Sequence, residues 1–271
     1  MPPGPRGFDP WVFPAPERSF DPARLGIGFE TPRAAGAERD LRVVHLRRAG
    51  VPGALRLAVT LDNCRPDARC RSTACPICCR RFRRWWTGAV LTFFRDVPGL
   101  VHVTLVHAGD AVGPSGLAAV SPGRLADATR QRLRRAGVGG ILLGGLDGDF
   151  DPANGVWQPH FHFLGAVDPA SGFDALRGEF PSGGRVYRPV LVQPVGDRAA
   201  QASYGAKSYW PQRQRYLDRN GDERTRKRRL DEALHVAWLL WRARFSFTDF
   251  LFLQGVRRYG HELRPVGRPT A

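Results

Sequence analysis

Residues 157–165 read WQPHFHFLG. In an extended chain successive side chains alternate between faces, so His160 and His162 share one face while Phe161 and Phe163 share the other. The aromatic pair suits a core. The imidazole pair then lies on the opposite face, where it supplies two arms of a divalent-metal site. Two surface histidines beside an apolar strand would read the same way, so the weight falls on the surrounding sequence.

Upstream, residues 139–146 (GGILLGGL) read as a strand, and DGDFDPANG (147–155) as the turn leading to a strand over 160–167. Antiparallel pairing across that turn brings Asp147 or Asp149 beside the two histidines. Asp147 is the favoured third ligand and Asp149 the alternative; as ordinary loop carboxylates both would cap the turn. Residues 100–107 (LVHVTLVH) predict a further strand, with His107 a lesser metal or DNA-contact candidate and His102 packed or in solvent. Ser121-Pro122 starts a helix stopped by Gly137. A short helix at 173–180, a strand at 185–195, a helix from Asp197 and a long helix at 223–247 complete the pattern; no pattern is read beyond Tyr259. The order predicts an α+β fold, a central antiparallel sheet covered mainly on one side by helices. No G-x-G-x-x-G opens a helix after a strand, which argues against a dinucleotide-binding unit.

The segment 201–209 reads QASYGAKSY. On a helix Tyr204 and Lys207 share a face. A tyrosine hydroxyl can attack phosphate covalently, but its free pKa is about 10, so it needs a polarised phosphate or a nearby cation. Lys207 supplies such a charge. Alone, the segment reads rather as a helix packed by Tyr204 with Lys207 in solvent.

All five cysteines fall between Cys64 and Cys79. Cys64, Cys70, Cys75 and Cys78 form C-x5-C-x4-C-x2-C, which suits structural Zn²⁺. Cys79 competes with Cys78, but the two-residue knuckle favours Cys78; reduced, partly buried thiols are the alternative. RRFRRWW follows, with Arg80, Arg81, Arg83 and Arg84 expected against DNA phosphates, and Trp85 and Trp86 stacking on bases or packing in the core. RTRKRR at 224–229 opens the expected long helix, with Arg226, Lys227 and Arg228 as further phosphate contacts and Leu230, Leu234, Ala237, Trp238 and Trp241 as its apolar stripe. The net charge of +16 favours a polyanionic partner. No run spans a bilayer and the N-terminus has no signal-peptide core, so the reading is cytoplasmic with no membrane partner. Residues 1–38 read as a disordered Pro/Gly/Arg-rich arm, 39–98 as a cysteine module with a basic aromatic helix, 99–215 as the catalytic domain and 216–271 as a basic helical extension.

LVHVTLVH, PHFHFL and YGAK resemble, in order, the first conserved motif, the two-histidine signature and the Tyr-x-x-Lys motif of the HUH endonuclease superfamily. The form they are similar to is the single-tyrosine replication initiator of rolling-circle plasmids, over roughly residues 64–215. The resemblance implies an RRM-like or ferredoxin-like nicking domain with an N-terminal zinc-binding cysteine module. It implies Mg²⁺ or Mn²⁺ on His160, His162 and Asp147, Tyr204 as nucleophile and Lys207 as its helper. It further implies strand-specific nicking of single-stranded or supercoiled origin DNA through a 5′-phosphotyrosyl link, and a host helicase as partner. The chain departs from the pattern where some initiators carry a Glu before the tyrosine: Ala200 stands there, and Asp197 is seven residues away. Competing readings are an HUH transposase or mobilisation relaxase, a non-catalytic zinc-containing DNA-binding protein, and a metal-dependent hydrolase of small substrates.

Overall fold

Helix α1 (Pro32–Ala49) is delimited by local chemistry: the Thr31 hydroxyl accepts from the Ala34 amide at 3.0 Å, Pro32 sits in the first turn, and Gly50 closes the helix at φ 68°. The computed structural model describes residues 31–167, 173–183 and 186–266. Residues 32–38, expected as part of an extended arm, are thus helical; the rest of that arm, 1–30, lies outside the described residues. After α1 come α2 (Pro52–Asp62), α3 (Pro76–Phe93), β1 (Val101–Leu105), α4 (Pro122–Arg135), β2 (Ile141–Asp151), β3 (Val156–Ala166), α5 (Phe173–Glu179), β4 (Val190–Pro194) and α6 (Arg198–Tyr204). The chain continues with β5 (Gln212–Leu217), β6 (Glu223–Arg228), α7 (Glu232–Arg242), β7 (Leu251–Gln254), β8 (Val256–Tyr259) and β9 (Glu262–Pro265).

The sheet runs β4-β1-β3-β2-β5-β6, with β7 also paired to β2. It is mixed rather than wholly antiparallel, because β2 and β5 meet in parallel at Phe150 and Gln212. Helices flank the sheet; α1, α2, α3, α6 and α7 pack into one group, and α4 and α5 into another. Phe161, Phe163 and Phe252 pack together on one face, with Arg130 of α4 over the Phe252 ring at 4.9 Å. On the other face α6 rests on β2, where a side chain at Gly145 would lie 1.9 Å from the Gly205 carbonyl oxygen. Glycine is required there for close backbone approach.

The expected helix over 223–247 divides. Glu223–Arg228 pairs antiparallel with β5 as an exposed hairpin turned near Asn220-Gly221, with Gly221 at φ 83°. Helix starts only at Glu232; of the expected stripe Trp238 and Trp241 are buried, Leu230 is buried ahead of the helix, Leu234 is half-buried and Ala237 is exposed, the inner face being completed by Val236 and Leu239. The segment beyond Tyr259 forms the β8–β9 hairpin.

Where α1 meets α7 the interface is polar. Buried Glu38 accepts from Arg42 at 2.9 Å and from Arg229 at 2.7 Å, and the His45 and His235 Nδ1 atoms lie 3.0 Å apart. Burial, reinforced by Arg42, pushes His235 down to about 3. Unfolded, the same imidazole titrates near 6.5. The unfolded chain therefore takes up the proton first, and stability present above about pH 6.5 is lost as the pH falls toward the folded value. Between pH 7 and 5 this one group is expected to cost roughly 2 kcal/mol. Urea unfolding at both pH values should show that loss shrinking in His235→Gln; an unchanged pH dependence would contradict the assignment.

Candidate metal centre and its tyrosine

β2 and β3 are in register so that Asp147 lies opposite His160, and β1 and β3 so that Thr104 lies opposite His162. Directly opposed residues share a face. Single ligand atoms of Asp147, His160 and His162 accordingly fall within 4.8 Å of one another. Each imidazole is oriented through its outer nitrogen. His160 Nδ1 donates to the Gln158 carbonyl at 3.0 Å, and His162 Nδ1 lies 2.9 Å from Thr104 Oγ1. The Nε2 atoms then face Asp147 Oδ2 at 3.8 and 3.6 Å. At His160 the carbonyl partner fixes the tautomer that leaves Nε2 free to ligate, and at His162 the Thr104 hydroxyl orients the ring the same way.

Electrostatics favour the ligating protonation states. Burial, the dominant cause, pushes His160 down and His162 down to about 3, so both rings are neutral. Burial alone would raise Asp147, but its polar surroundings, the Lys207 ammonium foremost, outweigh it and hold the carboxyl well below its ordinary value. Asp147 Oδ2 accepts from Lys207 Nζ at 2.7 Å, while Oδ1 is buried and has no hydrogen-bond partner among the described residues. A carboxylate with one oxygen beside two imidazole nitrogens and the other left over fits a bound cation. Asp149, the alternative ligand, instead pairs with Arg213 at 2.6 Å.

α6 ends at Tyr204, so Tyr204 and Lys207 are joined by a turn, not by a continuing helix; the Lys207 amide still bonds the Tyr204 carbonyl at 3.2 Å. The Tyr204 ring lies 5.3 Å from His162 and 6.4 Å from His102. His102 stacks on His162 at 5.5 Å, with its Nε2 buried and lacking a hydrogen-bond partner. His102, expected to pack or sit in solvent, thus joins the cluster. The available signal was its two-residue spacing from Thr104, which puts both on the His162 face. His107 lies elsewhere, against Asp110 at 3.4 Å and Arg132 at 3.2 Å. Asp197 caps α6 by accepting from the Ala200 amide at 3.0 Å, so its carboxylate is engaged away from the tyrosine.

The second cluster is Cys64, Cys70, Cys75 and Cys78, whose sulfurs also lie within 4.8 Å of one another. Hydrogen bonds from the other three thiols push Cys64 down, while the same cluster pushes Cys78 up. Cys79 is outside it, donating to the Thr73 carbonyl at 3.0 Å. The arginines that follow divide. Arg80 and Arg81 are partly exposed, but Arg83 and Arg84 are buried, which corrects the expectation of phosphate contact for those two. Arg83 donates to the Ser203 carbonyl at 3.0 Å and to its hydroxyl at 2.9 Å. Trp85 and Trp86 are core residues. Arg226, Lys227 and Arg228 are exposed, on a strand and not at a helix start.

Fold and clusters define an α+β protein with two candidate metal centres, one of cysteine thiols and one of carboxylate and imidazoles. Among the described residues no helix is long and apolar enough to cross a membrane. Comparison of the chain with models of known families, with curated proteins and with solved structures yields no match.

Proposed function

We propose that this chain is a metal-dependent, strand-specific DNA nickase and strand transferase of the HUH type, acting in rolling-circle replication initiation. The observation that carries the reading is the convergence of Tyr204, Lys207 and the Asp147-His160-His162 triad, with the tyrosine ring 5.3 Å from a candidate ligand and Lys207 2.7 Å from Asp147. A divalent ion, Mg²⁺ or Mn²⁺, would supply charge stabilisation on the phosphoryl oxygens. The Tyr204 oxygen attacks phosphorus and gives up its proton to solvent. The new O–P bond forms as the P–O3′ bond breaks, and the departing oxygen takes a proton to become a free 3′-OH. The DNA 5′-phosphate stays on Tyr204, conserving the ester for strand joining. Lys207, paired with Asp147 at 2.7 Å, holds that carboxylate in place beside this exchange, and the histidines, held neutral, keep ligating nitrogens aimed at Asp147.

At the cysteine cluster the reading is structural zinc. Cys78 Sγ lies 3.7 Å from both Cys64 Sγ and Cys70 Sγ. Four thiolates about 2.3 Å from a tetrahedral zinc ion would be separated by about 3.8 Å.

Incubation with labelled single-stranded DNA carrying candidate origins and Mn²⁺, followed by denaturing electrophoresis, tests the reaction. A covalent protein–DNA adduct is expected, and Tyr204→Phe should lower its yield by at least about a thousandfold, since the hydroxyl of the neighbouring Tyr209 is committed to the Arg228 carbonyl at 2.7 Å. An adduct persisting in that variant would remove Tyr204 from the role. Failure of the wild-type chain to form an adduct on any origin would remove the nickase reading itself.

A further inference from the structure

The exposed hairpin of β5 and β6 delivers a second set of cations to the tyrosine. A pocket of about 120 Å³ is lined by Tyr204, Lys207, Tyr209, Lys227, Arg228 and Arg229. Four of its six residues are cationic, but they are not equivalent. Lys207 is neutralised by Asp147 at 2.7 Å and Arg229 by Glu38 at 2.7 Å. Lys227 and Arg228 are exposed and form no ion pair with any described residue. Lys227 Nζ lies 5.9 Å from the centre of the Tyr204 ring, the same separation as Lys207 Nζ on the metal-centre side. The hairpin is pinned in this position, because the Tyr209 hydroxyl donates to the Arg228 carbonyl at 2.7 Å and Arg213 of β5 holds Asp149 at 2.6 Å.

We infer that Lys227 and Arg228 form a seat for a backbone phosphodiester of single-stranded nucleic acid, next to the phosphate that meets Tyr204. Two unneutralised cations beside two aromatic rings match what a single strand offers, an anionic backbone with stackable bases. The seat places the strand along the β5–β6 hairpin. This inference extends the proposed function, but its test involves no nicking.

Binding of a fluorescein-labelled oligothymidylate is measured without divalent ion over a range of salt concentrations. Each phosphate contact on a single strand contributes about 0.7 to the slope of log affinity against log salt. Lys227→Ala/Arg228→Ala is therefore expected to lower the slope by about 1.4 and weaken binding by on the order of tenfold near 0.1 M salt. Lys227→Arg/Arg228→Lys, which keeps both charges, should retain the wild-type slope. So should Arg56→Ala/Arg134→Ala, which removes two exposed arginines from α2 and α4. An unchanged slope in the first variant, or an equal fall in the Arg56/Arg134 pair, overturns the seat. Inorganic phosphate at constant ionic strength separates the sources of the ligand. If it displaces the oligonucleotide at low millimolar concentration, the pocket serves free phosphate and the nucleic-acid assignment fails. A chain that binds through Lys227 and Arg228 yet never forms a tyrosyl adduct would sink the nickase reading and leave the seat standing.

Discussion

Asp147→Ala is expected to lower divalent-metal affinity at the triad by at least about a hundredfold, and to take adduct formation with it. The carboxylate is the triad's only anionic ligand, and the two imidazoles left behind are neutral donors. The same substitution removes the anion that neutralises Lys207, whose ammonium is buried at 5% exposure. Stripping one partner from a buried pair typically costs about 3–5 kcal/mol, because the other charge is left desolvated. Metal loss and instability must therefore be separated, and the pair allows it. In Asp147→Ala/Lys207→Met the unpaired charge is gone, so most of the stability should return in urea unfolding while Mn²⁺ binding, followed by its paramagnetic signal in titration, stays lost. Asp149 cannot substitute, since Arg213 holds it 2.6 Å away. Wild-type Mn²⁺ affinity in the double variant would move the metal centre away from Asp147.

The juxtaposition of Asp147, His160 and His162 was legible because strand geometry is periodic. His160 and His162 share a face by the two-residue repeat, and one antiparallel turn carries Asp147 to them; the register of β2 on β3 then distinguishes Asp147 from Asp149. The β5–β6 hairpin escaped the same logic. Apolar alternation marks a strand only when one face is buried, and this ribbon is largely exposed. Its remaining signal, Asn220-Gly221 between two polar runs, is a turn dipeptide that needs φ > 0. α1 was partly hidden for the converse reason. Its inner face buries Glu38 and Arg42, so the apolar period is broken by charges that only tertiary partners explain. Arg83 was read outward as a phosphate ligand because composition reports charge and not direction.

Cys78→Ala is expected to reach the tyrosine as well as the cysteine cluster. Three buried arginines connect the two. Arg42 donates to the Ala74 carbonyl at 2.8 Å and to the Ser208 carbonyl at 3.2 Å. Arg242 donates to the Thr73 carbonyl at 2.8 Å and to the Lys207 carbonyl at 3.4 Å. Arg83, one turn beyond the Cys75–Cys78 knuckle on α3, holds Ser203. The backbone from Ser203 to Ser208 is thus fixed by donors whose own positions depend on residues 73–83. Losing a ligand from a structural metal site forfeits folding free energy, and a loss of several kcal/mol in a chain of this size lowers the melting temperature by on the order of 10 °C. Hydrogen exchange should show amides 203–208 losing protection together with those of 70–80, while the strand amides of β2 and β3 keep theirs at the same temperature. Arg83→Gln leaves the four thiols in place and should loosen 203–208 alone. If Cys78→Ala exposes residues 70–80 but leaves the Tyr204 turn as protected as in the wild type, the arginine connection transmits nothing, and the cysteine cluster stabilises only its own end of α3.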